Sequence, residues 1–182
     1  VQYLYKAIHP EPESLKGKTV LVTAGRTEEP IDLVRVLSNK SSGKMGFALA
    51  WEAFARGARV ILICGPTQLA LPVDIETIQV TTAEQMYEAV KSRTKEADIY
   101  VSAAAISDYT PEKPLDYNLK KKNTGTTLQL KETVDILKTI GEKRRKDQIL
   151  IGFAVETDQP EKYANQKLTE KHLDLIVLNN PK

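Results

Sequence analysis

The sequence has little cysteine, histidine or aromatic residue and no long apolar run. With Cys64 as the one cysteine no intramolecular disulfide can form, and the expected setting is a reducing cytoplasm. Cys64 closes the apolar run Val60-Ile61-Leu62-Ile63, which suits a buried strand end better than a nucleophile. His9 and His172 stand far apart, with no Cys or His partner at ligand spacing, so no metal ligand is assigned. The net charge of +2 gives no bulk electrostatic case for binding nucleic acid or a membrane surface. No apolar stretch approaches the length of a membrane span. Val1 to Leu15 lacks the apolar centre of a signal peptide.

What remains is an ordinary globular composition, with 182 residues, 41% hydrophobic and 27% charged. That length suits one domain with a sizeable core. Residues 1–14 carry Pro10 and Pro12 and read as an irregular leader; 15–182 read as a single domain. Short β-branched runs predict strands over Lys18–Thr23, Arg59–Cys64, Ile75–Val80, Asp98–Ala105, Gln148–Val155 and Leu173–Leu178. Between them, helical spacing predicts helices over Gly43–Arg56, Thr82–Arg93, Thr133–Lys143 and Pro160–Lys171. In the first, Phe47, Ala50, Trp51 and Phe54 recur at i, i+3, i+4 and i+7, and Gly57 ends it. The alternation implies an α/β fold, a doubly wound, mostly parallel sheet with helices on both faces. Lys120 to Lys131 breaks the pattern: Asn123-Thr124-Gly125 between two β-prone pieces suggests a protruding β-hairpin.

In such sheets ligands bind beyond the carboxyl ends of the strands. One segment there stands out: Ser38-Asn39-Lys40-Ser41-Ser42-Gly43-Lys44-Met45-Gly46, which opens the first helix. Unpaired amides and the macrodipole at a helix N-terminus favour an anion. Gly43 and Gly46, without Cβ atoms, would let an oxyanion approach the backbone. The alternative is a plain helix capped by Ser41 or Ser42. The loop is not a Walker A motif, since Met45 follows Gly43-Lys44. The first turn, Thr23-Ala24-Gly25-Arg26-Thr27-Glu28, lacks the dinucleotide glycine fingerprint. That weakens a nicotinamide-dependent oxidoreductase of Rossmann type. The Tyr163-x-x-x-Lys167 spacing of such enzymes is present, but i, i+4 residues simply share a helix face.

Four segments occur in order: Val22-Thr23-Ala24-Gly25-Arg26-Thr27-Glu28-Glu29-Pro30-Ile31-Asp32, the Ser38–Gly46 loop, Ala103-Ala104-Ala105-Ile106-Ser107-Asp108-Tyr109, and Gly152-Phe153-Ala154-Val155-Glu156-Thr157. Together they resemble the bacterial phosphopantothenoylcysteine synthetases, the synthetase half of the coenzyme A biosynthesis flavoprotein. The resemblance runs from about Leu15 to Asn180. It implies a Rossmann-like sheet whose hairpin, about 117–131, is a dimerisation arm, and hence a homodimer. It implies a ligase that joins 4′-phosphopantothenate to L-cysteine through an acyl-cytidylate, using CTP and Mg²⁺ and releasing CMP and pyrophosphate. Gly25, Ser41, Gly43 and Gly46 would hold the pantothenate phosphate, and Asn39 the reacting carboxyl oxygen. Ser102, Ala103, Ala104, Asp108, Val134, Asp135, Ile136, Leu137, Phe153, Lys167 and Lys171 would bind the nucleotide. The bland alternatives are a turn role for Asp108, a core role for Phe153 and a solvated basic face for Lys167 and Lys171. One departure concerns the family's Lys-x-Lys-Lys motif, whose first lysine serves activation. Here Asn118 holds that position, in Asn118-Leu119-Lys120-Lys121-Lys122, and Lys120 is the candidate substitute. Arg26 and Leu33 also stand where prolines are common in the family. A non-catalytic nucleotide-binding domain is the remaining alternative.

Overall fold

The computed structural model describes residues 6–7, 9–121, 126–155 and 160–179. The Asn123-Thr124-Gly125 tip, Lys122, Glu156 and Thr157 lie outside them. Strand β1 (Thr19–Ala24) leads into a short antiparallel hairpin, β2 (Glu28–Pro30) with β3 (Val36–Ser38). Then come α1 (Lys44–Ala55), β4 (Arg59–Cys64), β5 (Glu76–Gln79), α2 (Ala83–Arg93) and β6 (Ile99–Ser102). A second pair, β7 (Tyr109–Pro111) with β8 (Leu130–Glu132), precedes α3 (Ile136–Gly141), β9 (Ile149–Val155), α4 (Pro160–Glu170) and β10 (Leu175–Asn179).

Six strands form one parallel sheet in the order β10-β9-β6-β1-β4-β5. The chain winds outward from β1 through β4 and β5, then crosses back to β6, β9 and β10. That is the doubly wound arrangement, with its switch point between β1 and β6. Pleating sends Val20, Val22 and Ala24 to one face, where α1 covers them with Phe47, Ala50 and Ala53. Leu21 faces the other way, into a core with Ile61, Ile63, Met86, Val90, Tyr100 and Leu150. Leu21 is fully buried, and each such side chain contributes roughly 1.5–3 kcal/mol. Because both faces are covered, the central strands read as continuous apolar runs rather than alternating ones. Burial pushes the Cys64 thiol up to about 11, so it is an inert packing residue at the end of β4.

The structure corrects several local expectations. The long, polar connection after β1, for which no strand was expected, contains the β2–β3 hairpin. The end of the segment expected as a hairpin, β8, pairs with β7, well before Lys120, so these two strands are joined by a long excursion, and the expected tip lies outside the described residues. The helix expected from Thr133 starts at Ile136. Thr133 N–H donates to Asp108 C=O at 2.9 Å, and Asp135 takes the N-cap, its carboxylate accepting Lys138 N–H. Two residues competent to cap stand two positions apart, and the β7–β8 pair claims the first.

Candidate functional site

The site grows from the carboxyl end of β1. Gly25 has φ +79°, and a Cβ there would lie 2.8 Å from Gly65 C=O. Gly43 also has φ +79°, and its Cβ would meet the Gly25 backbone at 3.1 Å. A Cβ on Gly65 would sit 1.9 Å from the Arg26 carbonyl oxygen. Three backbone segments, after β1, after β4 and before α1, therefore cross at van der Waals contact. Gly65 was not among the site residues expected from the sequence, and its role follows only from the Arg26 backbone that faces it. Past the strand ends the loops after β1 and β6 stay paired: Ala105 N–H donates to Gly25 C=O at 2.8 Å and Thr27 N–H to Ala105 C=O at 3.2 Å. The buried Thr27 hydroxyl accepts Ser107 N–H at 2.9 Å. These loops form one rigid rim across the switch point.

Helix α1 opens onto this rim. Its N-cap is Gly43, not Ser41 or Ser42, and no side chain caps it. The Ser41 hydroxyl accepts Gly43 N–H at 3.3 Å, while the Ser42 carbonyl accepts the Thr67 hydroxyl at 3.0 Å. The first intrahelical bond is Phe47 N–H to Gly43 C=O at 3.1 Å. Among the described residues the amides of Lys44, Met45 and Gly46 have no protein acceptor. An uncapped, dipole-aligned set of N–H groups is suited to an anion. The close-approach argument for Gly46 is corrected, because the space of its missing Cβ is filled by Ala24 Cβ at 2.5 Å. Gly46 is needed for helix–strand packing, although its amide still belongs to the N-terminal set. Arg26 buttresses the loop, donating to Ser41 C=O at 3.2 Å and pairing with Glu28 at 3.0 Å.

Two clefts share this rim. One, of about 770 Å³, lies between the loop Asn39–Met45 and the segment Ala103–Ile106. The other, of about 460 Å³, is bounded by Ser102, Asp108, Tyr109, the segment Glu132–Leu137 and Lys171. Ala104, Ile106, Asp108, Phe153 and Lys167 line both. Both fall in the size range of small-molecule sites. The first holds Asn39, Ser41, Gly43 and Ala103 of the expected residues; the second holds Ser102, Asp108, Val134, Asp135, Ile136, Leu137 and Lys171. Gly25 and Gly46 lie beneath the first cleft and do not line it.

Individual side chains are constrained. Asn39 spends one amide proton on Ile106 C=O at 3.0 Å, which leaves its carbonyl and second proton for a ligand. Asp135 both caps α3 and pairs with Lys171 at 2.9 Å, so it is committed to protein partners. Phe153 packs on the α1-side core and lines both clefts. Tyr109 and Thr133 line the second cleft and were not singled out in the sequence. Pairing of β7 with β8, strands with 18 residues between them, brings them there, with the Thr133 hydroxyl donating to Ser107 C=O at 2.6 Å. Asn118 and Lys120 line neither cleft of their own chain and are exposed. Among the described residues no group of three or more His, Cys, Asp or Glu could hold a metal. No helix among them is long and apolar enough to cross a membrane.

The family model of the DNA/pantothenate metabolism flavoprotein C-terminal domain matches residues 15–182. The Coenzyme A biosynthesis bifunctional protein CoaBC of Bacillus subtilis (strain 168) is 53% identical over 169 residues, 92% of this chain and 41% of that protein. The chain thus spans about two fifths of the length of this curated relative. The crystal structure of the C-terminal domain of a CoaBC protein superposes with TM-score 0.81 at 45% identity, covering 91% of this chain and 78% of that one. A Cab2 H337A mutant shares the fold, with TM-score 0.76 at 20% identity, covering 99% of this chain and 77% of its own.

Proposed function

Since this chain belongs to the family of DNA/pantothenate metabolism flavoprotein C-terminal domains, we propose that it is the ligase joining 4′-phosphopantothenate to L-cysteine in coenzyme A biosynthesis. The observation that carries the reading is the pair of clefts with a common wall at Phe153 and Lys167. One is headed by an uncapped helix N-terminus; the other is flanked by lysines. Two anionic reactants that must meet end to end need such a geometry. A Cab2 structure of the same fold was solved with phosphopantothenate-cysteine, the product proposed here.

In this reading the Lys44, Met45 and Gly46 amides, with Ser41 and Gly43, hold the pantothenate phosphate. Its carboxylate then reaches toward Asn39, whose amide donates without adding charge. CTP occupies the second cleft, with Asp108 toward the ribose hydroxyls, Val134 to Leu137 and Phe153 about the base, and Lys167 and Lys171 on the phosphates. The carboxylate oxygen attacks the α-phosphorus and pyrophosphate departs. The cysteine amine then attacks the acyl carbon, loses a proton, and CMP leaves. The protein positions the reactants and neutralises charge. Lys120, which lines neither cleft of its own chain, supplies to the second cleft of the other protomer in a homodimer the positive charge that Asn118 lacks. Mg²⁺ fits as a phosphate-borne ion, which needs only one or two protein carboxylates, and Asp108 is at hand. When bound it supplies charge neutralisation.

A homodimer is part of the proposal. Leu33 and Val34 are each 71% exposed at the β2–β3 turn, and Tyr117 and Leu128 in the excursion and Leu130 in β8 are exposed as well. Apolar surface of this kind marks an interaction face. The test is product formation by the purified chain with 4′-phosphopantothenate, cysteine, Mg²⁺ and CTP or ATP, read by mass spectrometry. The cysteine adduct with CMP is expected, faster with CTP. CTP binding without any adduct would instead indicate a nucleotide-binding domain that does not turn over.

A further inference from the structure

Asp32 sits in the β2–β3 turn and is buried, with 5% exposure. Its two oxygens serve different partners. Oδ1 accepts Val34 N–H at 2.9 Å and Arg35 N–H at 2.7 Å, which closes the turn. Oδ2 accepts Leu119 N–H at 3.1 Å, from 87 residues further along the chain. The Arg35 guanidinium donates to Oδ2 through Nε at 3.0 Å and through Nη2. Arg35 Nη2 also donates to Leu119 C=O at 2.6 Å. One ion pair thus grips both backbone groups of Leu119. Leu115 N–H adds a tie to Ile31 C=O at 3.0 Å. An Asx turn needs only the Oδ1 half of this arrangement. The Oδ2 half is charge-assisted and reaches a loop that is otherwise exposed.

We propose that Asp32 and Arg35 are positioning residues, a latch that fixes the loop bearing Lys120 and so sets where its charge acts during carboxylate activation. The proposal rests on the ligase reading above. With the N–H and C=O of Leu119 both held, the backbone at Asn118 and Lys120 on either side is held as well. Only Lys120 of these two carries a charge. Stabilisation of a developing phosphoryl charge falls off steeply when a group is misplaced by about 1 Å. A lysine on an untethered loop would lose most of its effect.

Asp32→Asn separates the two halves. Its amide oxygen can still close the turn, but the NH₂ cannot accept from Leu119 or Arg35. In the purified full chain, amide exchange at Leu119 is expected to accelerate at least about tenfold, because the bond that protects it is gone. The kcat of adduct formation is expected to fall about tenfold, with KM for the nucleotide within about twofold, as for an interaction made in the transition state. In the Lys120→Ala background the same substitution is expected to change kcat by less than about twofold, since interacting residues are non-additive. Arg35→Gln, which leaves the Asp32 bond to Leu119 N–H intact but removes the tie to Leu119 C=O, is expected to repeat the kinetic pattern with a smaller change in exchange at Leu119. Unchanged protection at Leu119 overturns the latch. A tenfold loss that persists in the Lys120→Ala background reduces it to a structural tie and overturns the positioning role. Failure of the parent chain to make the adduct counts against the ligase reading alone, and the exchange measurement still decides the latch.

Discussion

Replacing Gly46 by alanine sets two effects of known sign against each other. In an exposed helix interior the change stabilises by about 1 kcal/mol, through backbone entropy. Here the new methyl would meet Ala24 Cβ at 2.5 Å, Ala24 Cα at 3.0 Å and Thr23 C=O at 3.0 Å. Carbon atoms rest about 3.5–4.0 Å apart, so the first turn of α1 must lift from β1 by roughly 1 Å. All three contacts are backbone or a Cβ in the central strand, and none can swing aside. Overpacking of this kind costs about 1–3 kcal/mol. The expected net is therefore destabilisation of about 0–2 kcal/mol, where an exposed helix site would gain. The functional effect is larger, because the lifted turn carries the Lys44, Met45 and Gly46 amides. A 1 Å displacement of a positioning group can cost about 10²-fold in rate. Urea unfolding and 4′-phosphopantothenate-dependent pyrophosphate release on the same preparation read the two effects. A Gly46→Ala protein that is both more stable and fully active would refute the packing argument and the assignment of the α1 amides.

Three further outcomes are expected. The Tyr100 hydroxyl is fully buried, lies near Ser102 and Thr23 but among the described residues makes no hydrogen bond of good geometry, and burial pushes its phenol up to about 12. Tyr100→Phe should leave the thermal midpoint unchanged or raise stability by up to about 1 kcal/mol, and a loss above about 2 kcal/mol would reveal a bond that the structure lacks. The Arg35 guanidinium, helped by the Val34 amide, holds the Asp32 carboxyl well below the usual carboxylate range. Its contribution is then present above the unfolded value of about 4 and is lost as pH falls below it. In paired urea titrations, the advantage of the parent chain over Asp32→Asn should be full at pH 7 and shrink below about pH 4; an advantage that grows with acid contradicts the pairing. Lys171→Ala should raise KM for the nucleotide about tenfold while leaving KM for 4′-phosphopantothenate within about twofold, because Lys171 lines only the second cleft. Equal changes in both would break the division into two clefts.

The parallel sheet was legible because its strands are buried on both faces. Val20–Val22, Val60–Ile63 and Leu150–Ile151 are near-continuous apolar runs, and helical periodicity between them fixes the alternation. The β2–β3 hairpin was not legible: its strands are only three residues long, one of them Glu-Glu-Pro, and Asp32 and Arg35 define its turn through side-chain bonds. The β7–β8 pair had no local signal either, since a long excursion separates its two three-residue strands. The glycines show a different limit. A Ser/Gly loop before a helix is readable as an anion site, and the uncapped α1 terminus suits one. Whether a given glycine makes room for a ligand or for the chain itself depends on what faces it, and at Gly46 that is Ala24. The meeting of the two clefts at Phe153 and Lys167 required the three-dimensional arrangement of β6, β9 and α4.

The most direct test of the account is a rapid-quench experiment with CTP, Mg²⁺ and 4′-phosphopantothenate in the absence of cysteine. If the two clefts bring carboxylate and α-phosphorus together, a pyrophosphate burst of one equivalent per chain should appear, with a trapped species of the mass of phosphopantothenoyl-CMP that cysteine then consumes. Pyrophosphate release that requires cysteine from the first turnover, or no release despite nucleotide binding, would contradict it.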